Sequence, residues 1–316
     1  MDVSIIMINY NTFDLAKDAI ESIKQHTTGV KYEIILVDNL SPDGSGDKLK
    51  EYFKDEIIYI QSGGNLGTSK AFNLGLKKAT GKYVLWLNSD ILIYHDFITE
   101  LYNYMENNPN CGIAGGNVIG FDDKPAHSFR RELTTSKTVR KDKSIIRAVF
   151  RKLFKKNLSS EYNFTNSPLS VGYITGADMM IRSSVISKIG GFDERIYMYA
   201  EETEFTYRVK REGFEVVCVP SARIKHLEGA SFNGKTRFSE RRCKLIIEGV
   251  SRYIYISYGQ KETIKYLKTI KRTAVKHIVL KAILRKKESL KIEKCNRKVA
   301  KEFLSKLKLG KSIFEL

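Results

Sequence analysis

The chain has 316 residues, of which 42% are hydrophobic and 11% aromatic. That is enough apolar material for one large α/β domain and an accessory segment, and it excludes a disordered chain. Its formal charge of +18 suggests an anionic partner, but no run reaches the roughly 18–20 apolar residues of a spanning helix.

In chain order, Val3–Tyr10 (VSIIMINY) reads as a strand, with no charged segment before it, so no secretory leader is expected. A helix follows, with Phe13, Ala16, Ile20 and Ile23 on one face and Asn11 or Thr12 as its cap. Tyr32–Asp38, Ile57–Ile60 and Tyr83–Leu87 read as three further strands, separated by helical patterns near 45–54, 68–79 and 95–107. Strands that are apolar throughout and spaced by helices predict a Rossmann-like, mostly parallel sheet covered on both faces. Such sheets bind ligands beyond the carboxyl ends of their strands. Asn9-Tyr10-Asn11, Asp38-Asn39 and Asn88-Ser89-Asp90 stand there.

Residues 122–168 are polar and basic and read as an insertion. Regular structure is expected again over 171–182, in a helix Glu201–Glu212 and in a strand Glu215–Val219. From about 236 the chain becomes helical and basic. Ile264, Leu267, Ile270, Ala274 and Ile278 form one apolar stripe there, with lysines and Arg272 mostly off it. The division expected is a catalytic domain over 1–235 and a basic helical extension over 236–316. Residues 236–316 hold 23 Lys and Arg against 7 Asp and Glu, and 130–161 hold 11 against 3. The remaining residues carry 20 against 26, a slightly acidic body. A nucleic-acid binder would spread cations and aromatics over its core, so no nucleic-acid partner is expected. A nucleotidyltransferase is disfavoured because Asn11-Thr12-Phe13 is not a basic, glycine-rich loop. The charge suits an anionic membrane leaflet instead. The four cysteines form no CxxC pair and read as free thiols of a reducing cytosol.

Several positions carry candidate chemistry. Asp38 ends a buried strand, where it either caps the following turn or accepts from a base or ribose beside the Tyr10 ring. Gly63-Gly64-Asn65-Leu66-Gly67 precedes a helix, as phosphate-binding loops do, but lacks the spacing of a dinucleotide site or P-loop. Asp90 in Asn88-Ser89-Asp90 suits a hard divalent cation bridging two phosphates. Glu201, Glu202 and Glu204 crowd one helix start, where like charges raise a carboxyl pKa. His226 follows a strand.

Taken in order, IIMINYN, EIILVDNLSPDGS, GGNLGTSKAFNLG, YVLWLNSD, YITGADMMIR, IGGFDERIYMYAEETEFTYRVKREGFEV and then HxxGxS resemble the family 2 glycosyltransferases. The likeness covers about residues 1–235 and is strongest to rhamnosyltransferase-like members that build bacterial surface polysaccharides such as capsule. It implies the A-type glycosyltransferase fold and an inverting transfer from a UDP- or dTDP-sugar to a glycan acceptor. A lipid-linked acceptor would place the protein in the cytoplasm, peripheral on the inner face of the cell membrane. Residue by residue, Asn9, Tyr10 and Asp38 would hold the base and ribose, and Asn65 and Gly67 would line the nucleotide pocket. Asp90 and His226 would ligate Mg²⁺ or Mn²⁺. Gly176, Ala177 and Asp178 would border the donor sugar. Glu202, or Glu201 one residue away, would be the base. The chain departs from the family by having Glu where the base is usually Asp, and Asn88 at the first position of the metal motif. Donor sugar, linkage and oligomeric state stay open.

Overall fold

A computed structural model describes residues 1–144, 161–227, 239–285 and 287–315. By internal contacts these form two compact units. One contains 1–132, 161–194 and 205–227; the other contains 133–144, 195–204 and 239–315 apart from 286. The extension after 236 therefore forms a unit with two segments drawn from the body of the chain, a grouping that a single cut near 235 does not anticipate.

The first unit is built on one sheet. Its strands are β1 (Val3–Asn9), β2 (Tyr32–Asp38), β3 (Ile58–Gln61), β4 (Tyr83–Leu87), β5 (Ile91–Leu92), β6 (Cys111–Ile119), β8 (Leu169–Ser170), β10 (Asp178–Arg182) and β11 (Glu215–His226). The short pair β7 (Phe129–Arg130) and β9 (Tyr173–Ile174) lies outside it. The order is β3-β2-β1-β4-β10-β6-β11-β5, with β8 also on β11. Neighbours among β3, β2, β1 and β4 are parallel, β6 is parallel to β11, and β10 runs antiparallel between β4 and β6. This is the mostly parallel arrangement of the A-type glycosyltransferase fold.

Side chains alternate between two faces, and each face buries its own core. Val3, Ile5 and Met7 of β1 join Ala16, Ile20 and Ile23 of α1 (Phe13–His26) and Leu101 of α4 (Phe97–Asn107). Ile6, Ile35, Val37, Val84 and Trp86 instead meet Ala71 and Phe72 of α3 (Gly67–Leu76). Double coverage explains why these strands are apolar without alternation. Thr12 stands at the N-cap position of α1, yet its hydroxyl donates to Asn9 Oδ1 at 2.8 Å and does not cap the helix.

Two elements differ from expectation. β6 lies in a stretch to which the sequence reading assigns no element, and its glycines are needed for close packing. A Cβ on Gly116 would come within 2.3 Å of the Ala222 carbonyl oxygen, and one on Gly115 within 2.8 Å of the Asp178 carbonyl oxygen. β11 runs on to His226 and does not stop at Val219. Its register shifts between Cys218 and Arg223, around Pro220, which has no N–H to give the ladder.

The second unit is helical: α5 (Ser136–Asp142), α8 (Glu240–Ile283) and α9 (Lys287–Lys308), with α8 broken at Gly259, whose φ is +80°. α6 (Ser183–Ile189) follows β10, and α7 (Glu201–Arg211) precedes β11. Of the 122–168 insertion, β7 and α5 are described, and residues 145–160 lie outside the described residues. The apolar stripe of residues 264–278 is the packed side of α8. Leu267, Ile270 and Ala274 are buried, and α8 packs against α9 and α5. The stripe is therefore a helix-packing surface. All four cysteines are buried free thiols.

Candidate active site

Parallel pairing aligns Asn9 with Asp38 and Asp38 with Gln61, so three strand ends share one edge. Asn9 Nδ2 donates to Asp38 Oδ1 at 2.7 Å and to Ser45 Oγ at 2.9 Å. Asp38 also accepts from Ser41 Oγ at 2.6 Å and from the Ser41 N–H at 3.0 Å. The turn-capping role is therefore present, and these bonds offset the cost of burying the carboxylate. Gly46 must be glycine here, since a Cβ would lie 2.3 Å from Asp38 Cγ. Tyr10 is exposed at the same edge, and Asn11 and Leu40 turn the chain there with φ near +58° and +57°. Left-handed non-glycine residues cost energy and often mark working sites.

Asn39 is the residue that sequence reasoning passed over, although it stands directly after Asp38. Its Oδ1 accepts from the Leu66 N–H at 2.9 Å, and its Nδ2 donates to Asn65 Oδ1 at 3.2 Å. Asn65 Oδ1 also accepts from the Gly67 N–H at 3.3 Å. One carboxamide thus ties the end of β2 to the glycine loop in front of α3. Gly63 and Gly64 have open space where a Cβ would stand, so their backbone can be approached closely.

Past β4, Asp90 and His226 meet: His226 Nε2 lies 3.0 Å from Asp90 Oδ1. Two antiparallel strands hold them together, His226 being opposite Ile91, and the Leu227 N–H donates to the Asp90 carbonyl. Both candidate metal ligands therefore converge. Among the described residues no group of three or more His, Cys, Asp and Glu could hold a metal. One carboxylate and one imidazole fit a cation that takes its other ligands from phosphate and water, as Mg²⁺ and Mn²⁺ do. The Glu228–Ser231 part of the HxxGxS pattern lies outside the described residues.

Because β10 is antiparallel to β4, its first residues stand at the same edge. The Ala177 carbonyl accepts from the Asn88 N–H at 3.1 Å, and Gly176 lies on the Trp86 ring, where a Cβ would come within 2.5 Å. Asp178 stands first in β10. It is fully buried and accepts from the Gly116 N–H at 2.6 Å, while its Oδ1 has no partner among the described residues. Burial pushes its carboxyl well above the usual carboxylate range. Its place as the first inward residue of β10 makes it a core group.

In the helical unit, Tyr199 and Ala200 both adopt left-handed backbone, with φ of +66° and +71°, directly before Glu201 and Glu202. Gly249 of α8 allows this turn, since a Cβ there would lie 2.1 Å from the Tyr199 carbonyl oxygen. Arg252 donates to the Arg195 carbonyl, and both guanidinium groups lie over the Phe314 ring. Glu201 and Glu204 are buried, and Glu202 is half-buried. Burial raises the Glu202 carboxyl, and the Thr203 hydroxyl and nearby backbone N–H groups only partly counter this. A raised carboxyl suits a general base.

The sheet order is that of the A-type glycosyltransferase fold. The sequence profile of Glycosyl transferase family 2 matches residues 4–190, more than half of the chain, and the chain belongs to that family. It is 30% identical over 220 residues to the low-salt glycan biosynthesis hexosyltransferase Agl10 of Haloferax volcanii, covering 68% of this chain and 64% of that protein. It is 30% identical over 170 residues to a poly(ribitol-phosphate) beta-glucosyltransferase of Bacillus spizizenii, covering 52% of this chain and 27% of that protein. The chain thus spans less than two thirds of the length of either relative. The solved structure of GalNAc-T7 with UDP, GalNAc and Mn²⁺ superposes with a TM-score of 0.63 over 87% of this chain and 51% of that one. At 16% identity, that likeness concerns the fold alone.

Proposed function

We propose that the protein transfers a hexose from a UDP- or dTDP-sugar to a hydroxyl of a lipid-linked glycan in surface polysaccharide synthesis, inverting the anomeric centre. The meeting of Asp90 and His226 at the sheet edge carries this reading. The relatives' roles in glycan and teichoic acid synthesis support it.

The acceptor oxygen attacks the anomeric carbon, whose bond to the diphosphate oxygen breaks, and the nucleoside diphosphate leaves with the bonding electrons. Glu202 takes the proton of the attacking hydroxyl, and burial, by raising its carboxyl, makes it a stronger base than an exposed glutamate. Asn9, Tyr10 and Asp38 hold the base and ribose, and Asn65 and Gly67 line the nucleotide pocket beside the open backbone of Gly63 and Gly64. Gly176, packed on the Trp86 ring, and Ala177 border the donor sugar. Asp90 and His226 hold Mg²⁺ or Mn²⁺, which when bound offsets charge on the departing diphosphate. Among the described residues no helix is long and apolar enough to cross a membrane. Peripheral attachment to the inner face of the cell membrane would bring the protein to a lipid-linked acceptor.

Asp38→Asn tests the nucleotide end, because it preserves size and one acceptor for Ser41. Affinity for free nucleoside diphosphate and for donor should fall together, about tenfold or more, as expected for lost uniform binding. Calorimetric titration measures it. Unchanged affinity in a folded variant would leave Asp38 with the turn-capping role alone.

A further inference from the structure

Beyond the break at Gly259, the packed side of α8 leaves an opposite face that is exposed from Lys261 to Ile283. Lys261, Lys265, Lys268 and Arg272 stand along it at steps of four, three and four residues, which keeps them on one side of a helix. The same face continues through Val275, Lys276, Val279 and Ile283, also exposed, with Val279 at 58% and Ile283 at 73% of full accessibility. At about 1.5 Å per residue the face is roughly 33 Å long, basic over its first half and apolar with one lysine over its second. From Lys261 to Leu284 seven cationic side chains stand against Glu262 alone. Of the four leading cations only Lys265 has a carboxylate within ion-pair distance among the described residues, Glu262 at 3.7 Å.

We propose that this face is the membrane-docking surface, and that its occupant is an anionic lipid leaflet. The inference rests on the reading of the acceptor as lipid-linked and says which side chains bring the enzyme to it. Cations favour anionic headgroups, while Val275, Val279 and Ile283 enter the boundary between headgroups and acyl chains. Charge decides against a second copy of the chain, because the same face would set cation against cation. A polyanion without an apolar layer would leave the three aliphatic side chains in water.

The test uses the full chain and sedimentation with vesicles of phosphatidylcholine alone or mixed with phosphatidylglycerol. The wild type should pellet with the anionic vesicles at low salt and be largely released at high salt. Lys265→Glu with Lys268→Glu and Arg272→Glu should abolish binding, with roughly a fivefold loss for each cation removed even before repulsion is counted. Val279→Gln with Ile283→Gln, which leaves every charge in place, should leave a weaker and wholly salt-sensitive residue of binding. Donor hydrolysis in solution should be unchanged in both variants, so that a failed docking surface is distinguishable from a failed catalytic reading. Equal pelleting with both vesicle types, or variants that bind like the wild type, would overturn the proposal. Self-association without vesicles that the Gln variant abolishes would overturn it too, by making the face an interface between copies.

Discussion

Asp90→Ala is expected to abolish sugar transfer, a loss on the order of 10³ or more, while the protein keeps its fold. The carboxylate is held 3.0 Å from the His226 ring by the pairing of β5 with β11. The backbone bond from the Leu227 N–H to residue 90 survives the exchange, so the edge of the sheet should persist and the melting temperature change little. EDTA should silence the wild type in the same way, and added Mn²⁺ should restore it. Mn²⁺ should restore it better than Mg²⁺, because an imidazole suits the less hard of the two ions. His226→Ala should cost less, about 10- to 100-fold, since the carboxylate and the diphosphate remain as ligands. Full activity in excess EDTA would contradict the role given to both residues.

Glu202→Gln should lower turnover by roughly 10² to 10⁴ with donor affinity unchanged, because it keeps the shape and removes the proton acceptor. The pH profile adds a second readout. Burial raises the Glu202 carboxyl, so its basic form is lost as pH falls through a value above the ordinary carboxylate range of about 4.3. The acid limb of kcat/KM should therefore lie above that range in the wild type and be absent in the Gln variant. Glu201 is more buried than Glu202. If Glu201→Gln is the crippled variant, the base lies one residue earlier. Equal activity of both variants would remove the base from this helix start.

The parallel half of the fold was legible because burial on both faces leaves a plain mark. β2 and β4 fall at the expected residues, β1 ends one residue earlier, and β3 is shifted by one residue as a whole. β6 was not legible, because Gly115 and Gly116 are set by neighbours distant in sequence, the Asp178 and Ala222 backbones. Composition could show how basic and helical the region after 236 is, but not which stripe of α8 its partners cover. The apolar residues that look free in the sequence are the packed ones, and Val279 and Ile283, which drew no notice, are exposed. At the site, Asp90 was readable from its place after a strand end, and His226 was named as its metal partner through the family resemblance, before the two were seen to meet. Asn39 needed the structure, since its partners Asn65 and Leu66 lie 26 and 27 residues away. Asp178 was named through the motif alone, and its full burial on β10 needed the structure.

The central claim is that this sheet edge binds a nucleotide-sugar and breaks its anomeric bond. The most direct measurement offers the protein a panel of UDP- and dTDP-hexoses with Mn²⁺ and follows each donor by proton NMR, with and without EDTA. The account predicts that at least one donor is consumed to nucleoside diphosphate, only when metal is present, with the inverted anomer as the first product. If no donor is consumed or raises the melting temperature under any metal condition, or if the first product retains its configuration, the account is contradicted.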